Sequence, residues 1–468
     1  MKNVLLCCWV FWSALGAGRA QGIKFEKDSL TRVFASATRQ DKPVFLLFAP
    51  PPAPADLPAA VRAERTKSGL YAPAVVARLN QAFLSKELAF GTAEASAAAR
   101  RYRVASYPSY LYFSPDGSLL YRRLGNTGDA AQYLRDIDAA QQARQDPQNL
   151  SHLAAEFRKG TRDASLLKRY VLKLRDLRLP VPTAVLGAYA RQLPAQAFYQ
   201  PAEVLFILES GPVVGSQAFQ LSHLSQRLID SLYRVLPLAQ RVAFNNLIIS
   251  NTMAEATATK DRVLAEKGAA FGRGTWNNDY AKGARTYERD MLNFYQGTKD
   301  TAAYLRQAVP YYERYYLNIP ADSVKKALEA LRVYRQRQPA LLQRLDSAAR
   351  QHAAAHRPTT TTATTRPIAV GGSPASFLQE LNNGAWAIYQ TGTRTKNYLW
   401  RAVVWSKRTV DLDPTSFNND TLAHLLYRLG FYAEAEARQQ QAIALARREK
   451  AATTTYQQEL EKMRKRTL

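Results

Sequence analysis

Two cysteines and five histidines are the only thiols and imidazoles this 468-residue chain can use as nucleophile, base or metal ligand. Cys7 and Cys8 are the two cysteines, so no thiol exists beyond residue 8. From there on the chain forms no internal disulfide, offers no thiolate to a metal and carries out no thiol exchange. His352 and His356 stand four residues apart, a helical spacing that suits a zinc pair. Only alanines separate them and no third ligand is close in sequence, so two solvated histidines are expected. The stretch FGRGTWNNDYAKG, residues 271–283, sets glycines near a basic residue. It lacks the preceding strand and the full pattern of a phosphate loop, and a loop is expected. No G-x-S-x-G motif occurs. These residues assign no catalytic side chain, no metal site and no cofactor.

The elements around residues 42–57, KPVFLLFAPPPAPADL, organise the first part of the chain. Val44–Phe48 is an unbroken apolar run of strand length, which predicts a central strand buried on both faces. It runs into a proline-rich loop with Pro50, Pro51, Pro52, Pro54 and Pro58, either a rigid connection or an extended docking surface. A helix start follows near Asp56, which suits an N-cap or first-turn acid. Before the strand, Leu30, Val33, Phe34 and Ala37 recur at helical spacing after Asp28 and Ser29. After it come helices over 56–64 and 74–80, a strand in QAFLSKELAF and a helix over 93–102. Two strands joined by a turn at Pro115-Asp116-Gly117 follow, and then a helix over 129–140.

This order resembles a thioredoxin domain of the exported bacterial type over residues 21–140. The likeness rests on KPVFLLFA, on VASYPSYLYFSPDG and on Gly125. Where that family has Trp-Cys-Gly-Pro-Cys, this chain has Pro52, Ala53, Pro54, Ala55 and Asp56, and Leu47 stands where many members carry a buried carboxylate. The resemblance therefore implies the fold without its redox chemistry, which needs a thiolate at a helix N-terminus and a second cysteine to resolve the mixed disulfide. Tyr107-Pro108 matches the family's cis-proline, which borders a peptide-pairing edge; from the residues alone it is a proline opening a strand.

From residue 147 to 356 the pattern turns helical, with apolar faces such as Leu166, Leu167, Tyr170, Val171 and Leu174. Breaks are expected at Pro180, Pro182, Pro194, Pro212, Pro237 and Pro310, which gives short helices in hairpins without a fixed repeat period. The tyrosines of YYERYY, residues 311–316, are expected in core and rim. Residues 357–375, rich in threonine, proline and glycine, form a linker. Residues 376–450 resemble a pair of tetratricopeptide repeats. Trp386, Ala402 and Pro414 hold packing positions in the first, with Thr409 where alanine is usual; Ala423, Gly430, Tyr432, Ala435 and Ala442 hold them in the second. Asn418-Asn419-Asp420-Thr421 is expected to cap a helix. Residues 451–468 form a basic tail, helical at first.

Residues 1–20, with Lys2, an apolar run from Val4 to Leu15 and Gly18-Arg19-Ala20, read as a secretory signal peptide. Removing Lys2 and Arg19 with it lowers the formal charge of +26 by two, to +24. That sign favours anionic surfaces as partners, while export argues against nucleic acid. No later run is long and apolar enough to span a bilayer. The fold class expected is an α/β thioredoxin-like N-terminal domain followed by all-α helical hairpins. The function expected is an exported, redox-inactive protein or peptide-binding scaffold, periplasmic or extracellular. Two alternatives stay open: an enzyme using non-thiol groups in a cleft between domains, and a relative of the thiol-disulfide oxidoreductases.

Overall fold

The computed structural model describes residues 22–51, 68–333, 375–449 and 451–468. Residues 1–20, Ala53, Pro54, Ala55 and Asp56, the His352–His356 pair and all of 357–375 except Ala375 lie outside the described residues. The chain is mostly helical, with one four-stranded mixed sheet. It divides into two compact units. The first reaches Val235; the second comprises Val213–Gly215 and the residues from Leu236 onward.

In the first unit the elements run α1 (Leu30–Gln40), β1 (Val44–Phe48), α2 (Pro73–Ala82), β2 (Leu84–Leu88), α3 (Ala93–Arg101), β3 (Ser109–Phe113), β4 (Leu119–Leu124) and α4 (Ala130–Gln145). The strand order is β2-β1-β3-β4, with β1 and β2 parallel and β3 antiparallel to both β1 and β4. Strand β1 is buried along its whole length, as its unbroken apolar run predicts. Alternation sends Val44, Leu46 and Phe48 into the core that holds Val33 of α1 and Ala95 of α3, and Phe45 and Leu47 into the core that holds Val76 of α2 and Ile137 of α4. Phe25 adds a single parallel bridge to Ser85. At the β3–β4 turn Gly117 adopts φ +82°, and the Ser118 amide donates to Asp116 Oδ1 at 3.0 Å.

Helices continue beyond this layer: α5 (Leu150–Arg158), α6 (Ala164–Asp176), α7 (Thr183–Gln192), α8 (Pro201–Glu209), α9 (Gln217–Ser222) and α10 (Gln226–Val235). The core on the Val44 face runs on without a break through Leu153, Leu167, Val171 and Tyr189. Arg122 of β4 fastens the junction by donating to Tyr102 O at 2.9 Å and Leu177 O at 2.8 Å. Burial, with Arg178 nearby, brings its guanidinium down to about 10.

The second unit is a run of helical hairpins: α11 (Leu238–Thr259) with α12 (Arg262–Gly274), and α13 (Tyr280–Thr298) with α14 (Thr301–Tyr312). After a π turn at Glu313–Leu317 and α15 (residues 321–333) come α16 (Ala375–Gln390) with α17 (Lys396–Leu412), α18 (Ser416–Arg428) with α19 (Tyr432–Arg448), and α20 (Thr454–Lys465). The first two hairpins turn on the same three residues, Thr-Lys-Asp, at 259–261 and 298–300. Each threonine hydroxyl donates back one turn, to Glu255 O or Phe294 O, at 2.9 Å. Each lysine is left-handed, φ 57° and 60°. Each aspartate caps the next helix at 3.0 Å. The two hairpins thus share one turn geometry.

Three expectations change. Pro310 lies inside α14 and does not end it; its neighbours Ala308 and Tyr311 are buried, and that packing outweighs a cost of about 3 kcal/mol. Residues 271–274 finish α12 and 280–283 begin α13, so only the middle of the expected loop connects helices. The cap of α18 is Thr415, whose hydroxyl accepts from Asn418 N at 3.2 Å, and the Asn-Asn-Asp-Thr cluster lies within the helix. Asn419 and Thr421 are fully buried there; Asn382 of α16 donates to Thr421 Oγ1 at 3.0 Å.

One buried acid in this unit gives a stability prediction. Asp290 of α13 is buried, and its Oδ2 has no hydrogen-bond partner among the described residues. Burial raises its carboxyl, with Arg289 only partly offsetting it. A raised folded value leaves stability whole in acid and erodes it as pH climbs through that value. Asp290→Asn is therefore expected to stabilise the protein near neutral pH by on the order of 1 kcal/mol and to leave it unchanged in acid. Urea unfolding at both pH values checks this.

Candidate functional site

The C-terminal ends of β1 and β2 and the segment entering β3 come together at one edge. Ala49 N donates to Leu88 O at 3.0 Å, which holds the chain beyond the two strands side by side. The turn Ala89–Thr92 follows, with Thr92 N donating to Ala89 O at 3.3 Å and Gly91 at φ +83°. This turn lifts Phe90 outward, and its ring is 48 % exposed. Tyr107 is half-buried and stands edge-on to Phe90, ring centroids 5.1 Å apart, with Phe48 beneath at 6.4 Å. The Tyr107–Pro108 bond is cis. Pro108 O accepts from Gly125 N at 2.9 Å, and Ser109 Oγ donates to Ser106 O at 2.6 Å, so both flanks of Tyr107 are fixed. Tyr107 itself has no backbone hydrogen-bond partner among the described residues.

The surroundings of this edge are apolar. Leu47 is buried among Phe45, Val76 and Tyr110. Lys86 of β2 is nearly enclosed and lies 3.6 Å from Glu94, whose other oxygen accepts from Leu30 N at 2.6 Å. That acid therefore ties the start of α1 to α3. On the opposite face, Asp136 is 1 % exposed, accepts from Tyr121 OH at 2.9 Å and has the Arg123 guanidinium 3.4 Å away. Burial and Asp136 together push the Tyr121 phenol up to about 12. These pairs are internal ties of the sheet.

A second cluster joins α16, α18 and α20. Trp386 and Tyr389 stack at 4.9 Å, and both meet the His424 ring edge-on at 5.2 and 5.3 Å. Arg428 covers the Tyr389 ring at 3.7 Å and donates to Tyr389 O. Ala402, Ala423, Ala435 and Ala442 are fully buried where helices meet, and Gly430 turns the chain at φ +90°. Tyr432 is 42 % exposed, with Tyr427 at 5.0 Å and the Arg466 guanidinium 4.3 Å over its ring. Sequence reasoning missed His424 and read Asp420 only as part of a cap; an Asp and a His four apart in one helix were the available signal.

No protein-family model matches the chain, and no curated protein or solved structure matches it significantly. Among the described residues no group of three or more His, Cys, Asp or Glu is placed to hold a metal ion. No described helix is long and apolar enough to cross a membrane.

Proposed function

We propose that this chain is an exported, redox-inactive protein whose first unit is thioredoxin-like, whose last hairpins are tetratricopeptide-like, and which binds extended polypeptide. The observation that carries this reading is the Tyr107 edge: a backbone N–H and C=O without partners among the described residues, flanked by the exposed Phe90 and the half-buried Tyr107 ring. An extended segment laid there would form main-chain hydrogen bonds with Tyr107 and rest apolar side chains on the two rings. The strand order and directions, with helices on both faces, support the thioredoxin likeness. The succession of hairpins α16–α17 and α18–α19, with Ala402, Ala423, Ala435 and Ala442 fully buried where helices meet, supports the repeat likeness.

The lack of any cysteine after Cys8 removes thiol exchange from what this edge can do, so binding is its use. Excess positive charge adds attraction to anionic partners on top of the edge contacts. The test is fluorescence anisotropy with a reduced, carboxymethylated lactalbumin that cannot refold, and polyglutamate as a charge control. Saturable binding that polyglutamate fails to displace supports the reading. Binding fully displaced by polyglutamate reduces it to charge attraction and overturns it.

A further inference from the structure

Exposed apolar side chains gather at one end of the first three helices of the second unit. Helix α12 runs antiparallel to α11, with Gly268 against Thr252 and Gly272 against Ile249, and antiparallel to α13, with Gly272 against Thr286 and Gly283 against Arg273. Helices α11 and α13 therefore point the same way. They meet near their far ends, where a Cβ added at Gly297 would lie 2.7 Å from Thr257 Cγ2. Counted back from those two residues at about 1.5 Å each, Leu238 stands about 28 Å and Tyr280 about 26 Å along, so both helices start at one level.

The connection from α12 to α13 closes this end. Trp276 N donates to Arg273 O at 3.3 Å, Asp279 N donates to Trp276 O at 2.9 Å, and Asp279 Oδ1 accepts from Lys282 N at 3.0 Å to cap α13. Gly283 leaves room for the turn: an added Cβ would lie 3.0 Å from Arg273 O and 3.6 Å from Trp276 Cβ. Four large apolar side chains face water here, Leu238 at 67 % exposure, Val242 at 46 %, Trp276 at 42 % and Tyr280 at 84 %. The opposite end of the three helices offers only Val263. Residues 238–245 and 271–284 hold three cations, Arg241, Arg273 and Lys282, against one acid, Asp279. Lys282 Nζ lies 2.8 Å from Asp279 and 5.6 Å over the Trp276 ring.

We propose that this end of the second unit seats on an anionic lipid surface, with Trp276 and Tyr280 in the headgroup layer and Arg273 and Lys282 at lipid phosphates. Tryptophan and tyrosine suit that depth because each joins a flat apolar ring to one polar N–H or O–H. Leu238 and Val242 add aliphatic area that lipid would bury and that the hydroxyls of a polysaccharide would leave unused. The excess of cations over acid selects an anionic surface and acts within a Debye length of it. The contact is peripheral, since no described helix is long and apolar enough to cross a membrane. It uses neither Phe90 nor Tyr107, so it stands or falls apart from polypeptide binding.

The test is co-sedimentation with sucrose-loaded vesicles, either phosphatidylglycerol mixed with phosphatidylcholine or phosphatidylcholine alone, at about 0.1 M salt. The chain used begins at residue 21, because the run from Val4 to Leu15 would itself enter lipid; the described core lies beyond it, from Ile23 on. Binding to the mixed vesicles is expected to exceed that to phosphatidylcholine by about tenfold or more. Trp276→Ser combined with Tyr280→Ser is expected to weaken it about tenfold, and Arg273→Gln about fivefold. These side chains are exposed, so the fold does not depend on them. Tyr199→Ser, which removes an exposed ring of the first unit, is expected to change nothing. Undiminished binding in the Trp276 and Tyr280 double variant overturns the proposal, and so does failure to sediment with the anionic vesicles. Retention on insoluble peptidoglycan that depends on Trp276, without vesicle binding, would assign this end to a glycan instead.

Discussion

Replacing Phe90 and Tyr107 together by serine is expected to weaken binding of an unfolded polypeptide by about a hundredfold, since each aromatic face buried by a ligand contributes roughly 1.5–3 kcal/mol. Phe90 is 48 % exposed and the Tyr107 ring leans on it, so the pair offers one continuous apolar surface. Their loss takes little from the fold: Phe90 sits at a turn whose geometry is set by Gly91 and Thr92. The backbone of Tyr107 survives the change, so weak residual binding is expected. Tyr199→Ser removes a comparably exposed ring, 60 % accessible, elsewhere in the first unit and is expected to leave affinity unchanged. Anisotropy titrations of the three proteins decide this; equal losses in both variants would deny the edge any special role.

Trp405→Ala is expected to cost about 3–5 kcal/mol of stability, and Trp405→Phe far less. Trp405 of α17 is fully buried, with the Tyr312 ring 5.2 Å away. Tyr312 in turn fills the space opposite Gly384 of α16, where an added Cβ would meet its ring at 2.6 Å. Alanine at 405 would leave a cavity that this tightly fitted neighbour cannot close. The indole Nε1 has no hydrogen-bond partner among the described residues, so phenylalanine keeps most of the packing and removes an unsatisfied donor. Urea unfolding followed by far-ultraviolet circular dichroism measures both variants.

Some of this fold was legible in the residues. Val44–Phe48 announced a central strand because five apolar residues in a row leave no polar face to turn toward water. Pro115-Asp116-Gly117 marked its turn because Gly117 needs a positive φ. The helices of the second unit were visible from their apolar spacing, and Pro182 and Pro237 do stand just ahead of helices. Other features were hidden for physical reasons. Pro310 was read as a break because helix rules weigh local hydrogen bonds and not the burial of Tyr311. Asn418 to Thr421 look like a cap because such residues usually bond their own backbone; here Asn382, far off in sequence, gives Thr421 a partner. The repeated Thr-Lys-Asp turn was plain in the letters, but its three residues mean little until each is seen in the same turn geometry. His424 emerged only when Glu459, 35 residues away, was placed against it.

At the Tyr107 edge the residues that could do chemistry were legible by their absence, and the exposed partner, Phe90, was not. Its role follows from a turn that lifts it beside a residue 17 positions later, a proximity that no local pattern encodes.

The central claim is that an extended polypeptide adds to the backbone at Tyr107. Hydrogen exchange of the protein alone and saturated with carboxymethylated lactalbumin tests it most directly. The account predicts new protection at the Tyr107 amide and in the turn 89–92, with residues 195–199 unaffected. Full binding with unchanged exchange at Tyr107 would contradict it.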